Sequence, residues 1–553
     1  MFENFKSKVK DNRFFLLVIF FSLLPLVFIF STSDLYHSHD GLVHLPRIAA
    51  FYKALSDGHF PVRWAGDLNY GYGMPLFNFI YQLPYLVSSV FIFLGFGLVN
   101  SFKLSISLSF ILSGIFMFLA AKEFFEDDKK AFFVSIFYQF ASFRLVELLI
   151  RGSFGEVYTY TFLPLVLYGL LKLFKSSKTF PIGFFFLMSL AVAFLVLSHN
   201  SVSFLFFVSL ISFLIIFSKS KKNLILGGSS VLVGLALSSF YWVPAIFEHK
   251  FTYGDLYMKD SYLSYFPPLI NFFIPNITNS SSLQTHGINV QIGFFHSIGV
   301  LLAIPLLFNK KINSKHKKLF LYGFILLVTS VFFMQKTSLF FWENISFLRQ
   351  FQFPWRFLSL AVFSSSLLSV SYLNFSFFSQ KKLYWSIILF VVFSTAYFWK
   401  PNLGFDKINE SYYWNFPLNT TYYGETDIIW SEGPARSYPK KRVEIIGGEG
   451  QILDLKKKTT FHSFKVNAKT NVQIVDKTQY FPGWRVFIDG KPSRIQFQDP
   501  NWRGQITFYV PLGDHQVNLI FQESKIRLFS DIVSAISFMA LISGFIYFKF
   551  KTA

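Results

Sequence analysis

Apolar residues along this chain fall into long blocks, parted by short Lys-rich runs or by breaks rich in Gly, Pro and polar residues. A helix that crosses a hydrocarbon core of about 30 Å needs about 20 mostly apolar residues. Twelve blocks meet that need: 14–31, 103–121, 132–148, 158–174, 180–198, 201–217, 224–246, 291–308, 319–334, 357–373, 383–399 and 531–548. A further apolar stretch, 79–97, is interrupted by Pro84, Gly95 and Gly97 and follows Pro75. Between 400 and 526 the rhythm changes to period two, in "RVEIIGGEGQILDL", "FHSFKVNA", "NVQIVDK", "WRVFIDGK", "QITFYVP" and "HQVNLIF". Short alternating runs divided by Gly, Pro and Asp predict an antiparallel β-sandwich, and Asp489-Gly490 predicts a tight hairpin within it.

The pattern therefore predicts a polytopic α-helical membrane protein of about 12 spans. Residues 1–399 form a transmembrane domain with a large first outer loop at 32–102. A β-sandwich follows at 400–526, and 527–553 form a final span and short tail. Composition supports this: 53% of residues are hydrophobic and 15% charged, against about a quarter charged in soluble domains. There is no cysteine, which removes disulfide scaffolds, thiolate catalysis and Cys-ligated metals. The net charge of +21 does not point to nucleic acid, because the basic residues flank apolar blocks instead of forming one soluble face.

Those flanks set the expected sidedness. Lys6, Lys8, Lys10 and Arg13 precede the first block, which has no small-residue cleavage site after it and reads as an uncleaved signal anchor. The runs around Lys122–Lys130, Lys172–Lys178, Lys219–Lys222, Lys310–Lys318, Lys381–Lys382 and Lys549–Lys551 are expected to be cytoplasmic. Both termini then lie inside, and an even number of crossings follows. On that count 79–97 does not cross and lies along the outer leaflet. The expected location is the cell membrane, with the polar loops facing outwards.

The unusual polar residues then converge on that outer side. In "HSHDGLVHLPR", Asp40, His44 and Arg47 fall at i, i+4 and i+7, one stripe of a helix. Asp40 there is either a general base, with His44 and Arg47 to hold phosphate oxygens, or simply the helix N-cap. His37, His39, Asp40 and His44 are also suitable ligands for a divalent metal such as zinc or manganese, although their spacing matches no strong zinc signature. In "LIRGSFGEVY", Arg151 and Glu156 are either functional or a local ion pair. His199 and Asn200 in "LSHNS" are ligand contacts or polar glue between helices. Arg349 and Arg356 bracket a Pro-Trp break in "FLRQFQFPWRFL", as a phosphate clasp or as interfacial residues reaching for water.

These stretches carry a family likeness. A first span, a large outer loop with an early Asp, a juxtamembrane helix and an acid in the next outer loop resemble the C-type (GT-C) glycosyltransferase superfamily. More closely, "HDGLVHLPRIAAFYKALSDGHFPVRW", "RGSFGEVYTYTFLPLVLYGL", "LSHN", "FQFPWRF", "YFPGWRVFIDGK" and "VPLGDHQVNLIF" resemble bacterial YfhO-like membrane proteins. They also resemble relatives described as "6-pyruvoyl-tetrahydropterin synthase-related", a description that implies no pterin chemistry here.

The resemblance implies a transferase that takes a sugar from a polyprenyl-phosphate donor and passes it to a glycan, lipid or protein acceptor of the cell envelope. It places Asp40 and Glu156 at the two acidic positions of the superfamily. Asp40 follows His39 instead of another acid, a departure that weakens a metal-bridged mechanism. The expected partners are the lipid bilayer, the lipid-linked donor and the acceptor, with no nucleic acid. Two other classes share parts of the pattern: a transporter or flippase of lipid-linked sugars, and a non-catalytic scaffold for envelope assembly.

Overall fold

A computed structural model describes residues 12–551 except 177–179, 255, 257–258, 273–289, 402, 416–423 and 425. Lys6, Lys8, Lys10 and Lys178, which bear on the expected sidedness, lie outside the described residues. The chain is mostly helical, with a β region near its C-terminus. Among the described residues, seven helices are long and apolar enough to cross a membrane, or up to nine spans if each of two bent helix pairs is counted as one. Every one of the twelve predicted blocks falls on an apolar helix. Three of those helices, Arg13–Leu26, Ile182–Ser198 and Phe294–Phe308, are short, so length and composition do not establish twelve crossings.

Five helices position the site: α1 (Gly41–Ser56), α2 (Leu83–Phe93), α3 (Leu98–Phe125), α4 (Phe154–Lys175) and α5 (Lys525–Lys551). Helix α2 answers for the 79–97 stretch. Its 11 residues reach about 16 Å at 1.5 Å per residue, half of a hydrocarbon core. Leu86, Val90 and Phe93 on its surface are exposed.

The long helices run between two chemically different ends. At one end the basic loops meet: Lys122 pairs with Asp128 at 2.9 Å, Lys172 with Glu123 at 2.6 Å and Lys175 with Glu126 at 2.5 Å. Lys315 donates to the Phe124 carbonyl there. Helix α4 ends in that cluster. Its 22 residues span about 33 Å, from that cluster to an end capped by residues 32–102 and the β domain.

The β domain has eight strands: β1 (Val443–Gly447), β2 (Gly450–Lys458), β3 (Phe461–Ala468), β4 (Val472–Gln479), β5 (Trp484–Ile488), β6 (Lys491–Ser493), β7 (Gln505–Val510) and β8 (Gly513–Phe521). They form a five-stranded sheet, β2-β3-β8-β5-β6, and a three-stranded sheet, β1-β4-β7, all antiparallel. The alternation seen in the sequence has its cause in this packing. On β3, His462, Phe464, Val466 and Ala468 point inwards while Lys465 and Asn467 face solvent. The predicted hairpin forms, with Ile488 opposite Lys491 and positive φ at both Asp489 (49°) and Gly490 (77°).

Regular strands begin only at Val443, however, and the preceding segment is woven into the rest of the molecule. Phe405–Asp406 pairs with Leu35–Tyr36. The Glu410 carboxylate caps the start of α3, accepting from the amides of Leu98 (2.8 Å) and Val99 (2.9 Å). The sandwich core is completed by Trp64 and Phe79 of the segment 32–102. Asp57 Oδ2 accepts from both the amide (2.7 Å) and the hydroxyl (2.6 Å) of Thr459, and Lys457 reaches Asp67 at 3.0 Å.

A buried ionic cluster locks the same junction. Arg63 pairs with Asp531 of α5 at 2.6 Å, and Arg527 of α5 with Glu248 at 3.3 Å. Glu248 also accepts from Ser524 (2.6 Å) and Asn78 (2.9 Å).

Candidate active site

Two segments far apart in the chain are stitched together by their backbones. The His39 amide donates to the Ile150 carbonyl at 3.1 Å, and that of Asp40 to Arg151 at 2.8 Å. The partner strand of this contact ends an apolar helix pair, Asp128–Gln139 and Ser142–Arg151, bent by 55°. Its last turn, Val146–Arg151, is π-helical, a geometry often found at functional sites because it re-aims side chains. Gly152 then turns the chain at φ 61°.

A Cβ on Gly152 would lie 2.6 Å from Ser38 Oγ. Gly152→Ala therefore combines a left-handed backbone with an overlap. It should destabilise the protein by about 1–3 kcal/mol, read as a lowered melting temperature in detergent; an unchanged melt would show that the stitch is dispensable.

Arg151 is the hub of the site. Its Nη1 lies 2.6 Å from Glu147 Oε2 and 3.1 Å from Glu156 Oε1, and its Nη2 lies 3.9 Å from Asp40 Oδ2. Its guanidinium stacks 4.5 Å from the Trp355 ring centre. Arg356 closes the other side of Glu156, its Nε 3.1 Å from Oε1, with a second bond to the Phe351 carbonyl at 2.7 Å. Glu147 and Glu156 are fully buried. At Glu156 the guanidinium groups of Arg151 and Arg356 together offset the cost of burying a carboxylate.

Asp40 stands at the N-cap position of α1, yet its side chain makes no capping hydrogen bond. The cap explanation therefore does not account for its carboxylate, which remains 25% exposed while its neighbours are buried. Withdrawal from bulk water raises the Asp40 carboxyl above its ordinary range, against the pull of Arg151, with Glu156 adding to the rise.

His44 and Arg47 do follow on one helix, both buried. His44 Nδ1 meets the Tyr85 hydroxyl at 3.0 Å, and its ring packs against Phe102 and Phe154. Burial, then the charges of Arg47 and Arg151, hold its imidazole well below its ordinary value. His44 is thus neutral at neutral pH, and Arg47 is the cation of the stripe.

His199 joins the cluster from the break between two helices. Its Nδ1 accepts from the Val202 amide at 3.3 Å, which leaves the proton on Nε2, 3.8 Å from Glu156 Oε1. Tyr81 stacks on its ring at 5.2 Å. Asn200 is polar glue: it donates to the Phe79 carbonyl at 2.7 Å and accepts from the Tyr241 hydroxyl.

Arg349 is not brought in. It donates to the carbonyls of Trp342 (3.1 Å) and Glu343, so the expected pair of clasping arginines reduces to Arg356. His37 is held by Asp406 at 3.0 Å. The donor set does not fit a divalent metal. Asp40, Glu147 and Glu156 all turn towards Arg151, and among the described residues no group of three or more His, Asp or Glu could hold an ion.

The sequence reading missed Glu147 and Trp355. Glu147 had one visible signal, an acid four residues before Arg151 inside an apolar run.

No family model matches the chain. It is 25% identical over 255 residues to an uncharacterized protein of Lactococcus lactis subsp. cremoris (strain MG1363). That alignment takes in 44% of this chain and 41% of the relative, so the chain spans less than half the length of the curated protein it matches. Two cryo-EM structures of the arabinofuranosyltransferase AftD from Mycobacteria, one of a point mutant, are similar to it at 16% and 15% identity with a TM-score of 0.44. The similarity to these glycosyltransferase structures takes in 72% of this chain but only 28% and 29% of theirs.

Proposed function

We propose that this protein is an integral-membrane glycosyltransferase. It moves a sugar from a polyprenyl-phosphate donor to a glycan, lipid or protein acceptor on the extracytoplasmic face. The observation that carries the reading is Asp40: a carboxylate spared from capping and partly exposed, beside a buried cationic hub. Asp40 would take the proton of an acceptor hydroxyl as that oxygen bonds to the anomeric carbon. The bond from that carbon to the phosphate oxygen breaks, its electron pair leaves with the carrier phosphate, and configuration inverts.

Charge favours such a leaving group. The guanidinium groups of Arg47, Arg151 and Arg356 all act on Asp40, and those of Arg151 and Arg356 also on Glu156. Arg144 sits apart from them in an aromatic cage of Phe110, Tyr138 and Tyr160. The test is incubation of purified protein with polyprenyl-phosphate sugars, scoring release of carrier phosphate. No release from any donor, with the protein folded, would count against the reading.

Two bent helix pairs favour a transporter or flippase as the second reading. Transporters, however, hold their charged residues near the midplane, whereas Glu156 here lies in the first turn of α4. Transport without bond cleavage would decide for that class.

The face is tested separately. With no native cysteine, Ser437→Cys and Ser314→Cys each give one reactive position, and both sites are exposed. An impermeant maleimide should label the first in intact cells and the second only after permeabilisation. The reverse pattern would turn the site to the cytoplasm.

A further inference from the structure

Beside Arg151 lie two buried polar atoms that the ionic network leaves unused. Glu156 is 0% exposed; its Oε1 takes both Arg151 and Arg356, while Oε2 has no hydrogen-bond partner among the described residues. Trp355 is 4% exposed, and its Nε1–H likewise has no acceptor among them. The indole is held firmly, packed flat on Phe353 (5.0 Å, 8°) and against the Arg151 guanidinium (4.5 Å). Buried polar groups are nearly always paired. An unpaired acceptor and an unpaired donor that share one guanidinium neighbour therefore mark a place for a ligand.

The chemistry of the two atoms selects that ligand. It must donate to a carboxylate and accept from an N–H. A hydroxyl does both with one oxygen, and neighbouring ring hydroxyls do so with two. An ionised phosphate offers only acceptors and is repelled by Glu156, while a prenyl chain satisfies neither atom.

We infer that Glu156 Oε2 and Trp355 Nε1 form a hydroxyl-recognition pair for a sugar ring lying against Arg151. This rests on the glycosyltransferase reading and makes Trp355 a specificity-determining residue. The pair reads the sugar; Asp40 and the arginines deal with the proton and the phosphate.

The experiment measures binding to the purified full chain in nanodiscs. The probes are a polyprenyl phosphate carrying a sugar, the same carrier without sugar, and a soluble oligosaccharide. Trp355→Phe removes the N–H and keeps an aromatic ring for Arg151 and Phe353. It should cut the preference for the sugar-bearing carrier about tenfold, the scale of one hydrogen bond, with affinity for the bare carrier and the melting temperature unchanged. Against the wild type, one of a set of donors each lacking a ring hydroxyl should bind as weakly as the bare carrier, a test that needs no variant. Loss of oligosaccharide binding instead would assign the pair to the acceptor sugar.

If Trp355→Phe keeps the full preference and every deoxy donor binds like its parent, the pair is overturned alone. If the wild type binds none of the three probes, the glycosyltransferase reading falls with it.

Discussion

Asp40→Asn should lower turnover of a polyprenyl-phosphate sugar about 100-fold or more, the usual scale for a lost general base, with little change in melting temperature. Both halves follow from the geometry. The Asp40 side chain makes no capping bond, so Asn loses no structural contact at the start of α1. The backbone bond from the Asp40 amide to Arg151 is indifferent to the substitution. What is removed is the ability to take a proton, together with the 3.9 Å charge contact to Arg151.

The pH profile carries the same signature. A base works deprotonated, and the Asp40 carboxyl is raised by withdrawal from water against the pull of Arg151. Activity should therefore fall on acidification at a pH above the ordinary aspartate range, and this limb should vanish from the residual activity of the Asn variant. Wild-type turnover in that variant would remove Asp40 from the chemistry.

Arg151→Met should be the most destabilising single change in the site, by about 3–5 kcal/mol, the scale for breaking a buried ion pair by removing one partner. Glu147 is fully buried, and both of its carboxylate oxygens accept from Arg151 Nη1, at 2.7 and 2.6 Å. Without the guanidinium that carboxylate must either protonate or leave its place in the π-helical turn. Glu156 keeps Arg356 and suffers less. A double variant, Glu147→Gln with Arg151→Met, should recover part of the loss, because the orphaned charge disappears with its partner. A single Arg151→Met protein that melts like the wild type would show that Arg151 is not the hub described here.

Much of this architecture was legible in the sequence because its causes are local. A span needs an unbroken apolar run, and a half-buried strand needs alternation; both leave their period in the chain. The site was legible in outline, since Asp40, Arg151, Glu156, His199 and Arg356 each stood out as ionisable groups at the edge of an apolar block. Which of two similar residues turns inwards was not. Arg349 and Arg356 look alike in "FLRQFQFPWRFL", and their opposite fates depend on the turn between them, where Gln352 takes φ 62°. Glu147 was hidden for a related reason. It lies inside a predicted span, and only a bend and a π-helical turn, both products of packing against neighbours, bring it to Arg151.

The core of the β domain is likewise completed by contacts that alternation along the chain does not show. Trp64 and Phe79, part of its core, come from a segment more than three hundred residues earlier in the chain.

That long-range closure has a consequence for how the protein is made. Chains emerge from the ribosome N-terminus first and fold as they come. The segment that carries Asp57, Arg63 and Asn78 is made several hundred residues before Thr459, Arg527 and Asp531, which anchor it. Until those residues follow, the helices already made must wait with that segment unclamped. The junction beside Asp40 is therefore set at whatever pace the chain between residues 80 and 531 is made and docked, and not by the segment that carries it.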